Sequence, residues 1–196
     1  MDKHFRFSAI LLAISFSMLS FTTSISASER KINMNQHWKF YHGCIANAEQ
    51  PSFNDSGWRV LDIPHDWSVE PLPVQREGIT IGPFSRMSIG GPDTGQTVGG
   101  EGWYRKELIL QPGDTDKILS LYFEGAYNQT EVWINGQKAC FNAYGYIPFR
   151  IDINKYCNAP GIPNTIAVKV INEGLNSRWY AGSGIYRHVW LIKTDK

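Results

Sequence analysis

Short stretches in which apolar and polar residues alternate dominate this sequence, and they restrict what it can fold into. Alternation with a period of two places every second side chain on one face of an extended strand. Residues 149–153 and 165–171 have this pattern. Further β-rich runs lie at 32–41, 58–63, 103–110, 118–123, 129–134 and 189–192. No segment has a sustained helical period, so the sequence predicts an all-β domain.

Turn residues separate these strands at fairly regular spacing. Asn135-Gly136 is the strongest of these signals, because both central positions of a two-residue hairpin turn need positive φ. We expect it to fold residues 130–134 back onto 137–141. Many short strands punctuated by Gly, Pro, Asn and Asp are typical of a β-sandwich, here of the jelly-roll type.

The first 27 residues have the pattern of a secretory signal peptide. Lys3 and Arg6 precede an apolar run from 7 to 21, and small residues follow up to Ala27. The run is interrupted by serines and is short for a membrane span, which leaves an uncleaved anchor as the weaker alternative. We therefore predict cleavage near Ala27, a domain at 28–196, and export to the periplasm or the extracellular space.

Composition excludes some classes of partner and leaves the cysteines open. Lys and Arg number 19 against 18 Asp and Glu, so there is no electrostatic case for binding nucleic acid or an anionic membrane. Three cysteines are too few for a disulfide framework, and sequence does not decide whether Cys140 and Cys157 pair. His37, His42 and Cys44 lie close in sequence, but no second cluster with ligand spacing accompanies them. We predict neither a metal nor a cofactor.

Residues 64–102 interrupt the strand pattern with a long excursion rich in proline and glycine. A loop of this length without evident secondary structure is usually functional or mobile. Gly99-Gly100-Glu101-Gly102 lacks the lysine and the strand–loop–helix context of a phosphate-binding loop. We therefore do not interpret it as one.

Five motifs, in order along the chain, resemble the N-terminal domain of glycoside hydrolase family 2, which includes β-galactosidases, β-glucuronidases and β-mannosidases. They are residues 38–40 (Trp-Lys-Phe), 63–67 (Ile-Pro-His-Asp-Trp), 102–106 (Gly-Trp-Tyr-Arg-Lys), 123–136 (Phe-Glu-Gly-Ala through Val-Trp-Ile-Asn-Gly) and 178–191 (Arg-Trp-Tyr, Gly-Ser-Gly-Ile-Tyr-Arg and Val-Trp-Leu). The resemblance covers nearly the whole chain after the leader. It implies a jelly roll of the galactose-binding-like type, in agreement with the strand pattern, and carbohydrate as the partner.

The same resemblance implies that this chain carries no catalytic residues. Glycoside hydrolysis ordinarily needs two carboxylates, and in family 2 both are glutamates on a (β/α)₈ barrel that follows an immunoglobulin-like domain. We expect both of those domains to be missing from this chain. Asn172-Glu173 copies the family's Asn-Glu pair, but it lies just past a predicted strand of the jelly roll. We interpret the match as coincidence.

The resemblance suggests five substrate-binding residues, since a loop of this domain reaches the barrel's active site in the family. Arg178, Trp179 and Tyr180 are the first candidates, with a purely structural loop as the alternative. Arg178 stands where many members have an aspartate, so it would donate to sugar oxygens or pair with a barrel carboxylate. Asp66 and Trp67 are further candidates, for which capping of backbone donors and packing are the alternatives. Val189 and Leu191 are expected in a buried closing strand.

These observations leave two functions in competition. The first is the sugar-binding domain of an exported family 2 glycosidase, with β-galactosidase as the favoured activity of the parent enzyme. The second is a free-standing carbohydrate-binding module or lectin without catalytic activity. A jelly roll alone does not separate them, because one fold hosts many functions.

Overall fold

The computed structural model describes residues 30–88, 91–173 and 182–196, and the chain forms twelve β-strands within them. The strands are β1 (Lys31–Asn33), β2 (Trp38–His42), β3 (Arg59–Leu61), β4 (Thr80–Ile81), β5 (Phe84–Ser85), β6 (Gly100–Ile109), β7 (Lys117–Phe123), β8 (Thr130–Ile134), β9 (Gln137–Asn142), β10 (Phe149–Asp152), β11 (Pro163–Asn172) and β12 (Val189–Asp195). Four 3₁₀ turns accompany them, at Trp67–Val69, Gly91–Thr94, Pro112–Asp116 and Asn154–Tyr156. These ranges contain no α-helix, and none of their helical turns is long and apolar enough to span a membrane.

Two antiparallel sheets form a sandwich. The smaller sheet has the strand order β1-β12-β7-β10, and the larger has the order β3-β2-β6-β11-β8-β9. The longest strand pairing of the larger sheet joins β6 and β11. It runs in register from Ile109 opposite Pro163 to Gly100 opposite Asn172. The predicted all-β sandwich of jelly-roll type is confirmed.

The core lies between the sheets and follows the alternation seen in the sequence. In β7, Leu119, Leu121 and Phe123 point inward, and β11 contributes Ile166, Val168 and Val170 opposite them. Burial of one such side chain stabilises the fold by about 1.5–3 kcal/mol relative to leaving it in water. The closing strand β12 adds Val189 and Leu191, both buried as expected.

The hairpin predicted at Asn135-Gly136 connects β8 and β9. Asn135 has φ 51° and Gly136 has φ 78°, and Ile134 pairs with Gln137 across the turn. The Asn135 side chain also accepts a hydrogen bond from the Thr165 N–H at 2.9 Å. The turn is therefore fixed to the neighbouring strand β11 as well.

The opening strand predicted at 32–41 is wrong in one respect, because it is two strands in different sheets. β1 pairs with β12 in the smaller sheet, while β2 pairs with β3 and β6 in the larger one. Between them His37 has φ 57°, and its N–H donates to the Asp62 carboxylate at 2.8 Å. A residue in the left-handed region interrupts an extended strand, and no alternation pattern records it.

A second apolar layer covers the outer face of the larger sheet. Residues 44–58 lie over Trp103 and Ala167, with Ala48 buried and with Phe53 and Trp58 packed beside it. The guanidinium of Arg105 is enclosed in this layer and donates to the Asp55 carboxylate at 2.8 Å. The middle strands of the larger sheet are thus buried on both faces.

The excursion at 64–102 contains short regular elements that could not be predicted from its composition. β4 and β5 form a two-stranded ribbon, and the Trp67–Val69 turn begins the segment. Strands of two residues are too short to have a detectable period. The ribbon is attached to the start of the excursion by the hydrogen bond from the Leu72 N–H to the Gly82 carbonyl at 2.9 Å.

Candidate functional site

Two segments far apart in sequence meet at one end of the sandwich. The His65 N–H donates to the Ile185 carbonyl at 2.8 Å, and the Trp67 N–H donates to the Ser183 carbonyl at 3.0 Å. These are the second and the fifth of the motifs identified in the sequence. The fold therefore joins them into one structural unit.

Asp66 is at the centre of this junction. Its carboxylate caps the Trp67–Val69 turn by accepting hydrogen bonds from the Ser68 N–H at 2.9 Å and the Ser68 hydroxyl at 2.5 Å. The same oxygen accepts the Ser183 N–H at 2.8 Å. The capping role considered from the sequence is therefore present, and contact of Asp66 with a sugar stays a prediction.

Trp67 lies beneath this junction and is only 4% exposed. Its ring stacks on Phe40 with centroids 5.8 Å apart, and its Nε1–H donates to the Gly99 carbonyl at 3.0 Å. Gly102 is required here, because a Cβ at that position would clash with the Trp67 ring. Trp67 therefore supports the site from within the core in this structure, and direct contact with a sugar stays a prediction.

Asn172 joins the described chain on the two sides of residues 174–181, which we call the closing loop. Its Nδ2 donates to the Gly182 carbonyl at 2.9 Å and to the Ser183 hydroxyl at 2.7 Å. Asn172 is the last residue of β11, and Gly182 is where the described chain resumes. The side chain of Asn172 thus has a structural role in the jelly roll, in agreement with the interpretation of Asn172-Glu173 as a coincidental match.

A line of polar side chains connects the core to the surface beside the junction. The Tyr104 hydroxyl lies 2.7 Å from His65 Nδ1, and His65 Nε2 lies 3.0 Å from Glu70 Oε1. Arg59 then donates to both oxygens of Glu70, at 2.7 and 2.9 Å. His65 belongs to the 63–67 motif, but no local sequence pattern reveals this line, because Tyr104 lies on β6 and Arg59 on β3.

Burial and neighbouring charges set the protonation of this line. Burial lowers the pKa of His65, against the opposing effect of Glu70, so the imidazole is neutral near pH 7. Burial also raises the pKa of Tyr104 well above its usual value. Burial raises the pKa of Glu70, but hydrogen bonds from Arg59 and His65 outweigh it and hold the pKa below its usual value. Glu70 is therefore ionised and paired with Arg59.

The remaining predicted site residues, Arg178, Trp179 and Tyr180, belong to the closing loop and lie outside the described residues. The two carboxylates of the junction, Asp66 and Glu70, are both held by protein donors. Both carboxylates therefore fix segments of the protein itself. Of the five predicted substrate-binding residues, the structure describes Asp66 and Trp67, and both are hydrogen-bonded to Ser183.

The three cysteines are free thiols. Cys140 and Cys157 pack against the core, and burial raises the pKa of both, that of Cys157 to about 11. A thiol with a raised pKa is largely protonated and a poor nucleophile at neutral pH.

A jelly roll whose 63–67 and 182–185 segments are joined by hydrogen bonds at one end defines a class of domain. Residues 38–195 match the family described as glycosyl hydrolases family 2, sugar binding domain. The chain belongs to that family, and the family expected from the motifs is confirmed.

Similar proteins include a β-galactosidase and a β-glucuronidase of other organisms. The chain is 41% identical over 174 residues to the β-galactosidase BoGH2A of Bacteroides ovatus, covering 88% of this chain and 19% of that protein. It is 30% identical over 189 residues to a β-glucuronidase of Formosa agariphila, covering 89% of this chain and 18% of that protein. The crystal structure of a family 2 member from Bacteroides cellulosilyticus superposes with a TM-score of 0.78 at 41% identity, covering 85% of this chain and 21% of the other. The chain thus spans about a fifth of the length of these relatives.

Proposed function

We propose that this chain is the sugar-binding part of an exported β-galactosidase. The observation that carries the proposal is its likeness, along 88% of its own length, to a fifth of the β-galactosidase BoGH2A. The likeness to β-glucuronidases and putative β-glucuronidases is weaker, at 28–37% identity. Catalysis by the parent enzyme would rest on the immunoglobulin-like and (β/α)₈ barrel domains that the family resemblance implies.

Within that enzyme the domain would present the closing loop to the sugar in the active site. The flanking residues support this, since Asn172 donates to the Gly182 carbonyl and Asp66 accepts from the Ser183 N–H. Arg178 would donate hydrogen bonds to sugar oxygens, and Trp179 or Tyr180 would pack on the sugar ring. Binding energy supplied at this point would be expressed in kcat/KM.

The kinetic test is Arg178→Ala in the full-length enzyme, with Arg150→Ala as the matched control. Arg150 is exposed on β10 and forms no ion pair with a described residue. We expect Arg178→Ala to lower kcat/KM about 10-fold or more on an aryl β-galactoside, with the thermal midpoint retained. Unchanged kinetics together with loss of folding would mean that the loop is only structural.

The chain by itself is expected to hydrolyse no aryl β-galactoside, β-glucuronide or β-mannoside. Turnover that persists after removal of host glycosidases, and that disappears when a carboxylate of this chain is replaced, would contradict this. Reading the coding DNA beyond Lys196 tests the parent directly, since an in-frame immunoglobulin-like domain and barrel are expected there.

Export is proposed from the leader at 1–27. N-terminal sequencing of the secreted product should begin close to residue 28, and retention of the leader on a membrane-bound product would contradict cleavage.

The second candidate function is a free-standing carbohydrate-binding module. Micromolar binding of a monosaccharide to the isolated chain would favour it. If the sugar instead lies between this domain and a second one, the isolated chain lacks most of the contacts and should bind the sugar only weakly.

A further inference from the structure

A groove of about 310 Å³ lies beside the Trp67–Val69 turn at the edge of the larger sheet. It is built by β2, by the end of the 44–58 layer and by the start of the excursion, through Tyr41, His42, Trp58, Arg59, Glu70 and Leu72. Its volume is at the lower end of the range for small-molecule sites, about 300–1,000 Å³. It is large enough for one sugar ring.

Two aromatic rings form part of its wall. Tyr41 and Trp58 stack with centroids 5.6 Å apart and planes 25° apart, and Tyr41 is 37% exposed. Trp38 and Trp67 donate their Nε1–H to backbone carbonyls, whereas that of Trp58 has no acceptor among the described residues. The wall therefore offers apolar ring surface together with an available donor.

A charge pair forms the polar part of the lining. Arg59 uses one of its terminal nitrogens, Nη2, for both bonds to Glu70, which leaves the other guanidinium donors available. His65 behind Glu70 is neutral because burial lowers its pKa. Arg59 and Glu70 cancel in charge, so the lining favours neither an anion nor a cation. It suits a neutral ligand that both donates and accepts hydrogen bonds.

The groove continues toward the closing loop. His42, Leu72 and Val98 line both this groove and a second cavity of about 410 Å³. The second cavity extends to Glu173, the last described residue before the closing loop. A chain of linked sugars with one end near the closing loop would therefore have a path to the groove.

We propose that the groove binds a neutral hexopyranose unit of an oligosaccharide, away from the closing loop. The apolar face of the sugar ring packs against Tyr41 and Trp58, and its hydroxyls accept from Arg59 and Trp58 and donate to Glu70. The choice of a carbohydrate rests on the proposed function as well as on these contacts. The groove is distinct from the contacts proposed for Arg178, Trp179 and Tyr180.

NMR titration of the whole chain with lactose, a neutral disaccharide, tests this. We expect saturable shifts of the Trp58 indole N–H signal with a millimolar dissociation constant. Tyr41→Ala should weaken binding about three- to tenfold, the effect of losing one ring contact. Tyr144→Ala is the matched control, since Tyr144 is 57% exposed and lies outside the groove, and it should bind lactose like the unaltered chain.

A second variant keeps the test valid if Tyr41→Ala does not fold. Arg59→Gln changes an exposed side chain and should also weaken lactose binding several-fold while circular dichroism stays unchanged. An unshifted Trp58 signal at about 50 mM lactose, well above the constant expected for a contact to one sugar, would overturn the proposal. The proposal would also be overturned if Tyr144→Ala abolished lactose binding while Tyr41→Ala left it intact.

Arg178→Ala in the same chain separates this proposal from the proposed function. Lactose binding that is lost in Arg178→Ala and kept in Tyr41→Ala places the sugar at the closing loop, which overturns the groove and leaves the proposed function standing. Lactose binding that Tyr41→Ala weakens and Arg178→Ala leaves unchanged supports the groove, even if Arg178→Ala has no effect on the kinetics of the full-length enzyme.

Discussion

The Asp66 carboxylate accepts a hydrogen bond from the Ser183 N–H at 2.8 Å, across 117 positions of the chain. The same oxygen accepts two donors from Ser68. One carboxylate oxygen thus fixes the turn that opens the excursion and the point where the chain re-enters the sandwich. This contact therefore joins Ser183, where the chain follows the closing loop, to the 63–67 motif.

Asp66→Ala should therefore destabilise the domain. It removes an N-cap and a long-range bond and leaves the Ser183 N–H buried without this acceptor, so we expect a loss of about 2–3 kcal/mol in the free energy of unfolding. Asp66→Asn retains an acceptor oxygen, so its free energy of unfolding should fall by a smaller amount. Chemical denaturation measures both, with the exposed Glu77→Ala as control. A change within about 0.5 kcal/mol for Asp66→Ala would show that the junction does not depend on this carboxylate.

Gly102 and Trp67 give a second prediction, on packing under the site. A Cβ at Gly102 would overlap the Trp67 ring, whereas a Cβ at Gly113 would meet nothing within 4 Å. Gly102→Ala should cost about 1–3 kcal/mol by overpacking, and should change tryptophan fluorescence because the ring must move. Gly113→Ala is the matched control and should leave the thermal midpoint and the fluorescence unchanged. Equal behaviour of the two variants would contradict the close packing of Gly102 on Trp67.

Strands with one buried face were predictable from sequence, and the exceptions have specific physical causes. In β7 and β11 every second side chain enters the core between the two sheets, and this repeat gives the alternation seen in the sequence. Trp103, Tyr104 and Arg105 are all buried, since the 44–58 layer covers the face that would otherwise meet water. That layer has no strand of its own, so no periodicity marks it.

The candidate site was predictable only in its local part. The sequence Asp66-Trp67-Ser68 favours a capped turn, and that turn is present. The partner Ser183 is remote, and no local pattern pairs the two positions. The same holds for the line from Tyr104 through His65 to Glu70, which needs the fold to bring β6 and the excursion together. Substrate contact by Arg178, Trp179 and Tyr180 stays a prediction.

The two strands β2 and β12 each contain a tryptophan, and we expect different costs for removing them. Trp38 is completely buried, so Trp38→Ala should cost about 3–5 kcal/mol. Trp190 lies half-buried outside the core cluster, donates to Glu124 at 2.8 Å and has the Lys31 ammonium 3.9 Å above its ring. If Trp190 lay in the core, Trp190→Ala would lower the free energy of unfolding by a similar amount. Its actual contacts imply a loss of only about 1–2 kcal/mol. Urea unfolding of both variants measures the difference, and equal losses would contradict it.

Asp55 and Arg105 give the prediction on pH. Arg105 is 4% exposed, and Asp55 also pairs with Lys39 at 2.5 Å. Burial raises the pKa of Asp55, but the hydrogen bonds and charges of Lys39 and Arg105 outweigh it and hold the pKa below its usual value of about 3.9. Because the folded-state pKa is lowered, the ionised carboxylate stabilises the fold above pH 4 or so, and that contribution is lost as the pH falls through the folded-state pKa.

Asp55→Asn should therefore destabilise the domain by roughly 3 kcal/mol at pH 7, because it leaves a buried guanidinium without its counter-charge. The difference between this variant and the unaltered chain should shrink as the pH falls below about 4, since protonation of Asp55 removes the same charge. Thermal unfolding between pH 2 and 7 measures both curves. Asp116→Asn, at an exposed aspartate, is the control and should follow the unaltered chain throughout. A difference that stays constant down to pH 2 would mean that the ionised carboxylate of Asp55 does not stabilise the outer layer.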